Sequence, residues 1–129
     1  MNELHTTTSN FPVTETIDRM IGAIEEEGWH LFARIDHAKE AREKELELRP
    51  TELILFGNPE VGTLLMQDQQ AAAIDLPMKA LAWEDESGQT QIACNDVAWV
   101  KERHKLTDDE TLANIDDVIT KVCSSVKSK

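Results

Sequence analysis

The chain has two short segments whose side chains could do chemistry, and the first is Asp36-His37. A carboxylate and an imidazole at the end of a predicted strand could accept or donate a proton near neutral pH. Neighbouring residues on a strand point to opposite faces, so the two groups need not act together. The structural alternative is that the two residues cap the helix starting at Ala38 and hydrogen-bond a loop. The residues themselves leave both interpretations open.

The second segment is the turn FGNP at residues 56–59. It follows the apolar run 53–56, which predicts a buried strand ending at a glycine. Asn58 is a favourable N-cap, and a proline suits the first position of the helix that begins there. The free amides of this helix N-terminus could bind an anion. Asn58 can take the same amides, however, and Glu60 would repel an anion, which favours the capping role.

Recognisable metal, phosphate and nucleophile motifs are absent from the sequence. It contains no HExxH, Walker loop, Rossmann glycine motif or GxSxG elbow. Cys94 and Cys123 lie far apart without a CxxC spacing, so we expect ordinary free thiols, partly buried. No metal site is predicted, and no cofactor is indicated. The histidines are scattered at His5, His30, His37 and His104.

Composition limits the functional classes. The chain has 129 residues and 40% hydrophobic content, which suffices for one domain over residues 1–129. A net charge of -12 and a pI near 4.6 disfavour binding to nucleic acid or to an anionic membrane. Apolar runs are too short to span a membrane, and the polar start lacks the features of a secretory signal. We therefore expect no membrane association and a cytoplasmic location.

Hydrophobic periodicity predicts an alternation of strands and helices. Trp29, Leu31, Ala33 and Ile35 should share one face of a strand. The capping-box pattern of Thr107 to Glu110 predicts the start of a final helix over about 108–126, before the basic tail 127–129. The order is strand His5–Phe11, helix from Pro12 to Gly28, strand Trp29–Asp36, helix Ala38–Leu48, strand 53–56, a short helix after Pro59, a loop 69–76, a hairpin of Met78–Trp83 with Thr90–Asn95, a helix capped by Asp96, and the final helix.

Four stretches of this sequence resemble one protein family: GWHLFARIDH, ELILFGNP, GTLLM and IDLPMKALAWED. The family is the bacterial and archaeal domain of unknown function 302, and the resemblance covers about Thr6 to Glu102. It implies an α+β two-layer sandwich with a largely antiparallel, curved sheet and helices mainly on one face, grouped with the TATA-box-binding-protein-like folds. It also implies a homodimer. The family carries no settled activity, and the resemblance does not imply DNA binding.

Three functional hypotheses follow from these observations. The preferred one is a homodimeric binding module that holds a small molecule or a partner in a groove between sheet and helices. The alternative is an enzyme that uses His37 as general acid or base, with Asp36 or Asn58 orienting it or the substrate. The third is a structural or assembly role for an apolar face left over after folding. The candidate ligand-binding residues are Asp36, His37, Phe56, Gly57 and Asn58.

Overall fold

The structure, a computed structural model, describes residues 4–127 and contains a five-stranded antiparallel sheet. Its strand order is β1-β5-β4-β3-β2, so β1 lies at one edge and β3 lies inside the sheet. The last residues of the predicted basic tail, 128 and 129, lie outside the described part. The strands are β1 Leu4–Ser9, β2 His30–Asp36, β3 Thr51–Gly57, β4 Met78–Glu84 and β5 Thr90–Asn95.

Five α-helices and one 3₁₀ helix accompany the sheet within the described residues. They are α1 Val13–Glu26, α2 His37–Glu43, α3 Pro59–Asp68, the 3₁₀ helix Gln70–Asp75, α4 Val97–His104 and α5 Asp109–Ser124. Helix α1 packs on β2, β3 and β4, and α5 packs against α1, α3 and α4. This arrangement confirms the predicted α+β class with a largely antiparallel sheet. The 3₁₀ helix corrects the prediction of a loop after α3.

The two faces of the sheet differ in burial. On β3, Ile54 and Phe56 are fully buried under the helices, whereas Leu53 and Leu55 on the other side are half-buried. Side chains alternate between the faces of a strand, so this pattern separates a helix-covered face from an open face. The core lies between the covered face and the apolar stripe along α5 that runs from Leu112 to Val122.

Strand β2 departs from the predicted alternation. Leu31 pairs with Phe56 and Ala33 pairs with Leu55, so Phe32 is an extra residue that forms a β-bulge. Directly paired residues share a face. Leu31 therefore lies on the covered face, while Ala33 lies on the open face. The expectation that both share one face was wrong, because an inserted residue shifts the alternation by one position.

Helix α2 is shorter than the predicted helix Ala38–Leu48. It ends at Glu43, and Glu45 has a left-handed φ of 61°. The amide of Leu46 donates to the carbonyl of Ala41, which closes the end of the helix. The charged segment lacks a continuous apolar stripe, so burial does not extend the helix and the chain is free to turn towards β3.

The start of α5 also differs from the predicted capping box. Asp108, rather than Thr107, is the N-cap, and its carboxylate accepts from the Thr111 amide at 3.1 Å. Thr107 donates instead through its amide to Asp68 at the end of α3, at 2.7 Å. That hydrogen bond is the main cause that lowers the pKa of Asp68. The contact joins residues distant in sequence, so local spacing could not reveal it.

Candidate functional site

A pocket of about 360 Å³ opens beside the end of β3, where the FGNP turn begins α3. Its walls come from the β2 region, the turn, α3, the segment before β4, and α5. Apolar side chains form most of the lining, notably Trp29, Phe32, Met66, Leu76, Pro77 and Ile115. Pockets of this size with an apolar lining are typical of small-molecule sites.

The turn itself supplies one edge of the pocket. Gly57 ends β3, and a Cβ placed there would meet the Phe32 ring at 3.5 Å and Pro77 at 3.6 Å. The bulge in β2 sets the direction of Phe32, whose ring packs edge-on against the His30 ring at 4.7 Å between centroids. Residue 57 therefore lies in van der Waals range of the aromatic and the proline that flank the opening.

Helix α3 forms a second wall with Val61, Gly62 and Met66. A Cβ on Gly62 would have a single neighbour, the Met66 methyl at 3.9 Å. This side of the helix is therefore open, and part of the pocket's volume exists because residue 62 carries no side chain.

Asn58 is the principal polar group of the lining. Its Oδ1 accepts from the amides of Glu60 at 2.9 Å and Val61 at 3.4 Å, which confirms the predicted N-cap. Thr63, which also lines the pocket, donates its hydroxyl to the Pro59 carbonyl at 2.6 Å. Among residues 4–127, nothing accepts a hydrogen bond from Asn58 Nδ2. The pocket thus offers one amide donor in an apolar surface.

The other predicted site residues do not line this pocket. Phe56 is fully buried in the core. Asp36 and His37 lie at the opposite end of the sheet, because β2 pairs Asp36 with Glu52 while His30 pairs with Gly57. Five residues along a strand span about 17 Å. The structure therefore brings Gly57 and Asn58 together but separates them from Asp36 and His37.

Asp36 has the structural role that the sequence left open. Its Oδ1 accepts from the Lys39 amide at 2.9 Å and caps α2. His37 is the first residue of that helix and is half-buried. Asn58 is too far away to orient His37, which removes one of the two pairings considered for an enzyme.

A cluster of polar side chains surrounds the buried Glu52 at the sheet end near Asp36. Glu52 is 4% exposed and accepts from Arg34 Nε at 2.8 Å and from the Thr14 hydroxyl at 2.9 Å. Arg34 also reaches Asp18 at 2.7 Å. Burial lowers the pKa of Arg34, but the hydrogen bonds to Glu52 and Asp18 together outweigh it and raise the pKa. These polar groups already have partners, which leaves little for a ligand.

A second polar cluster, His104, Arg103 and Asp75, lies next to the pocket wall. His104 Nε2 lies 2.5 Å from Asp75 Oδ2, and Arg103 contacts the same carboxylate at 3.2 Å. Asp75 directly precedes Leu76 in the pocket wall. Sequence analysis missed this cluster, as it missed the contributions of Met66 and Ile115, because all of them depend on contacts between distant segments.

Within the described residues, no group of three or more His, Cys, Asp or Glu side chains could hold a metal ion. In the same part of the chain, no helix has the length and apolar character needed to cross a membrane.

Fold and pocket together define a class: a small α+β protein with a one-sided helix layer and an apolar pocket at the end of a central strand. The chain belongs to the family described as domain of unknown function DUF302, whose model matches residues 5–122. The match extends past Glu102, where the resemblance stated from the sequence ends, and includes most of α5.

A solved structure has the same fold. The crystal structure of an uncharacterized conserved DUF302 protein from Bacillus stearothermophilus superimposes with a TM-score of 0.79 at 16% identity, covering 98% of this chain and 97% of that one. At this identity, the likeness shows the fold alone.

The curated proteins are named fluoride-specific ion channel FluC 1, from Brucella suis and Brucella abortus. Each is 48% identical over 103 residues, or 80% of this chain. The matched region is 41% of the Brucella suis protein and 38% of the Brucella abortus protein. This chain therefore resembles about two fifths of each of those proteins.

Proposed function

We propose that this protein is a homodimeric module that binds a small, largely apolar molecule in the pocket beside Asn58. The observation that supports this most is the pocket itself, with about 360 Å³ of apolar space and one amide donor. Such a pocket fits a neutral ligand with an apolar body and one hydrogen-bond acceptor. The net charge of -12 disfavours an anion. The cytoplasmic location expected from the sequence is part of this proposal.

The first test combines native mass spectrometry of gently purified protein with a titration of prodan, a neutral naphthalene ketone with environment-sensitive fluorescence. Gly62→Leu should fill the pocket and weaken prodan binding at least tenfold, which corresponds to about 1.4 kcal/mol. Gly22→Leu is the matched control, because Gly22 is also a helical glycine and has nothing within 4 Å of an added Cβ.

Both variants replace glycine inside a helix, so neither should lose helix stability on that account. Equal prodan affinity in the two variants and the wild type would contradict a ligand site at this pocket. Native spectra should show an additional mass on the wild-type protein that is reduced or lost in Gly62→Leu.

The dimer half of the proposal is supported by the open face of the sheet. Its outward side chains on β3, β4 and β5 include Leu53, Leu81 and Trp83, each half-buried. Among the outward positions of the described strands the one charged residue is Lys79, and there is no Asp or Glu, although the chain carries 25 acidic residues. Interface cores are depleted of charge. We therefore place the contact between two copies on this face.

Light scattering after size exclusion tests the dimer. The wild type should have twice the 14.5 kDa mass of one chain. Leu81→Asp should give a monomer because it places a carboxylate in the contact. Asn114→Asp adds the same charge at an exposed position of α5 and should remain dimeric. A monomeric wild type, or a dimer that persists in folded Leu81→Asp, would contradict the proposed contact.

The enzyme hypothesis has weaker support from the geometry. The carboxylate of Asp36 is engaged as a cap, and Asn58 lies at the other end of β3. An enzyme that uses His37 should lose turnover but keep its melting temperature on His37→Ala. A purely structural His37 should instead lose about 1 kcal/mol of stability.

The comparison with the Brucella proteins favours a second candidate function, in which this chain is an accessory module of a fluoride channel. The identity of 48% over about two fifths of those proteins suggests a module that also occurs within a larger protein. Deleting the matched segment from the Brucella suis protein should reduce its fluoride conductance, and adding this chain separately should restore it. Unchanged conductance after the deletion would contradict this candidate.

A further inference from the structure

The two cysteines of the chain meet in the fold, although the sequence separates them by 29 positions. Cys94 lies on β5 and Cys123 on α5, and their Sγ atoms are 3.1 Å apart. Both are free thiols, 1% and 6% exposed. The thiols are free, as expected, and the packing of α5 on the sheet brings them into contact, which their spacing in the sequence did not indicate. The chain contains no third cysteine.

We propose that Cys94 and Cys123 are a redox modification site, which hydrogen peroxide converts into a reversible intramolecular disulfide. A disulfide has an S–S distance of about 2.05 Å, so the two sulfurs need to approach by about 1 Å. Rotation about the side-chain bonds and a small shift of the helix can supply that movement. Each thiol has the other as its sole cysteine partner within the molecule.

Cys123 is the thiol expected to react first. The hydrogen bond with Cys94 lowers the pKa of Cys123, and Lys127 adds to this effect, while burial opposes it. The same hydrogen bond and burial raise the pKa of Cys94. Cys94 then acts as the S–H donor and Cys123 as the nascent thiolate, which is the reactive form of cysteine. Cys123 is also the more exposed of the two.

The reaction balances in two steps. The Cys123 thiolate attacks one oxygen of hydrogen peroxide, the O–O bond breaks, and the products are a sulfenic acid and hydroxide, which takes up the proton released by Cys123. Cys94 then attacks the Cys123 sulfur, the S–O bond breaks, and water leaves with the Cys94 proton. In total, two thiols lose two electrons and two protons, and hydrogen peroxide becomes two water molecules.

The disulfide would fasten α5 to β5. Helix α5 also carries Ile115, which forms part of the pocket wall, two turns before Cys123. Oxidation would therefore fix the helix that supplies this wall. The site does not depend on the proposed ligand, because the two thiols lie outside the pocket lining.

The test uses reduced wild-type protein treated with hydrogen peroxide at neutral pH. Remaining thiols are alkylated with iodoacetamide, and the intact mass and proteolytic peptides are measured. The expected result is loss of two hydrogen atoms from the intact mass, a cross-linked Cys94–Cys123 peptide, loss of both alkylation sites, and full recovery with dithiothreitol. The wild-type measurement does not rely on any variant folding correctly.

Two variants identify the order of attack. Cys94→Ser should stop at an oxidised Cys123 and form no intramolecular cross-link, whereas Cys123→Ser should leave Cys94 reduced. The proposal is overturned if native protein keeps both thiols under conditions that oxidise the same protein in urea. It is also overturned if the products are only intermolecular disulfides or irreversible acids. Prodan titration of the reduced protein tests the ligand pocket separately, so the two proposals can fail independently.

Discussion

The two ends of β3 differ in whether their side chains are already engaged within the protein. At the Glu52 end, a buried carboxylate is paired with Arg34 and Thr14, and Asp36 caps α2. At the Gly57 end, the lining is apolar, about 360 Å³ is open, and one amide donor has no acceptor among residues 4–127. The charged end looks more reactive in the sequence, but its carboxylates Asp36 and Glu52 already have partners.

Because of this difference, we expect one end of β3 to contribute to the stability of the fold and the other to the binding of a ligand. Buried polar groups that hydrogen-bond one another hold elements in place, and a ligand would have to replace those bonds. Unfilled apolar space adds nothing to folding, whereas a ligand that fills it removes apolar surface from water. Changes at the Glu52 end should therefore alter the free energy of unfolding, and changes at the Gly57 end should alter affinity.

The largest expected effect is at Glu52. Glu52→Ala leaves Arg34 without its buried partner and removes the acceptor of the Thr14 hydroxyl. We expect a loss of about 2 kcal/mol in the free energy of unfolding, below the range for a fully buried pair, because the Arg34 side chain is 31% exposed. Urea unfolding followed by circular dichroism measures this change.

Glu15→Ala is the matched control, since the Glu15–Arg19 pair lies on the surface with side chains 47% and 43% exposed. It should cost less than about 0.5 kcal/mol. Prodan affinity should be unchanged in both variants. A stable Glu52→Ala protein, or one that is folded but has lost prodan binding, would show that the two ends are not separated in this way.

The N-caps at the two ends of β3 can be compared directly, because each should contribute a similar amount to stability. Asn58 caps α3 and Asp36 caps α2, and replacing either with Ala should cost about 1 kcal/mol of stability. Only Asn58→Ala should also weaken prodan binding. Asn58→Ser keeps a capping oxygen but lacks the amide donor, so it should retain stability and still bind prodan less tightly. Isothermal denaturation and fluorescence titration on the same samples would distinguish these effects.

If Asp36→Ala weakens prodan binding as much as Asn58→Ala does, the pocket depends on general stability rather than on the Asn58 amide. If Asn58→Ser binds prodan as the wild type does, the amide donor has no part in binding. In that case, shape and apolar contact alone account for affinity.

Local patterns predicted much of the fold. Caps at Asn58 and Asp96 are observed as expected, and Gly28 has the left-handed φ of 73° that suits a residue after a helix end. These features depend on residues a few positions apart. The antiparallel hairpin of β4 and β5 was predictable for the same reason, because a glycine turn joins two alternating segments.

The site was less predictable because its parts come from distant segments. Gly57 and Asn58 were identified, since a strand end and a helix start meet there. Phe32 was not, because a bulge is defined by the register with the neighbouring strand. Ile115 and the Cys94–Cys123 contact depend on where α5 lies on the sheet. No spacing within one segment encodes that position.

The smallest expected effect concerns acid at the charged end. Asp85 follows β4 there, since Trp83 pairs with Thr51 at the start of β3. Hydrogen bonds from Gln91 first, then from Ser87 and Gln89, lower the pKa of Asp85 to about 2. The ordinary value is 3.8, so the folded protein binds this proton less readily than the unfolded chain.

The ionised carboxylate therefore stabilises the folded state above a pH of about 4, and this contribution disappears as the pH falls towards 2. The carboxyl carbon of Asp85 should titrate near 2 in an NMR experiment on folded protein. Asp85→Ala should lose less stability than the wild type between about pH 5 and pH 3, while prodan affinity at pH 7 stays the same in both. Titration near 3.8 would mean that these hydrogen bonds do not persist in solution, and the charged end would then be less fully paired than its contacts imply.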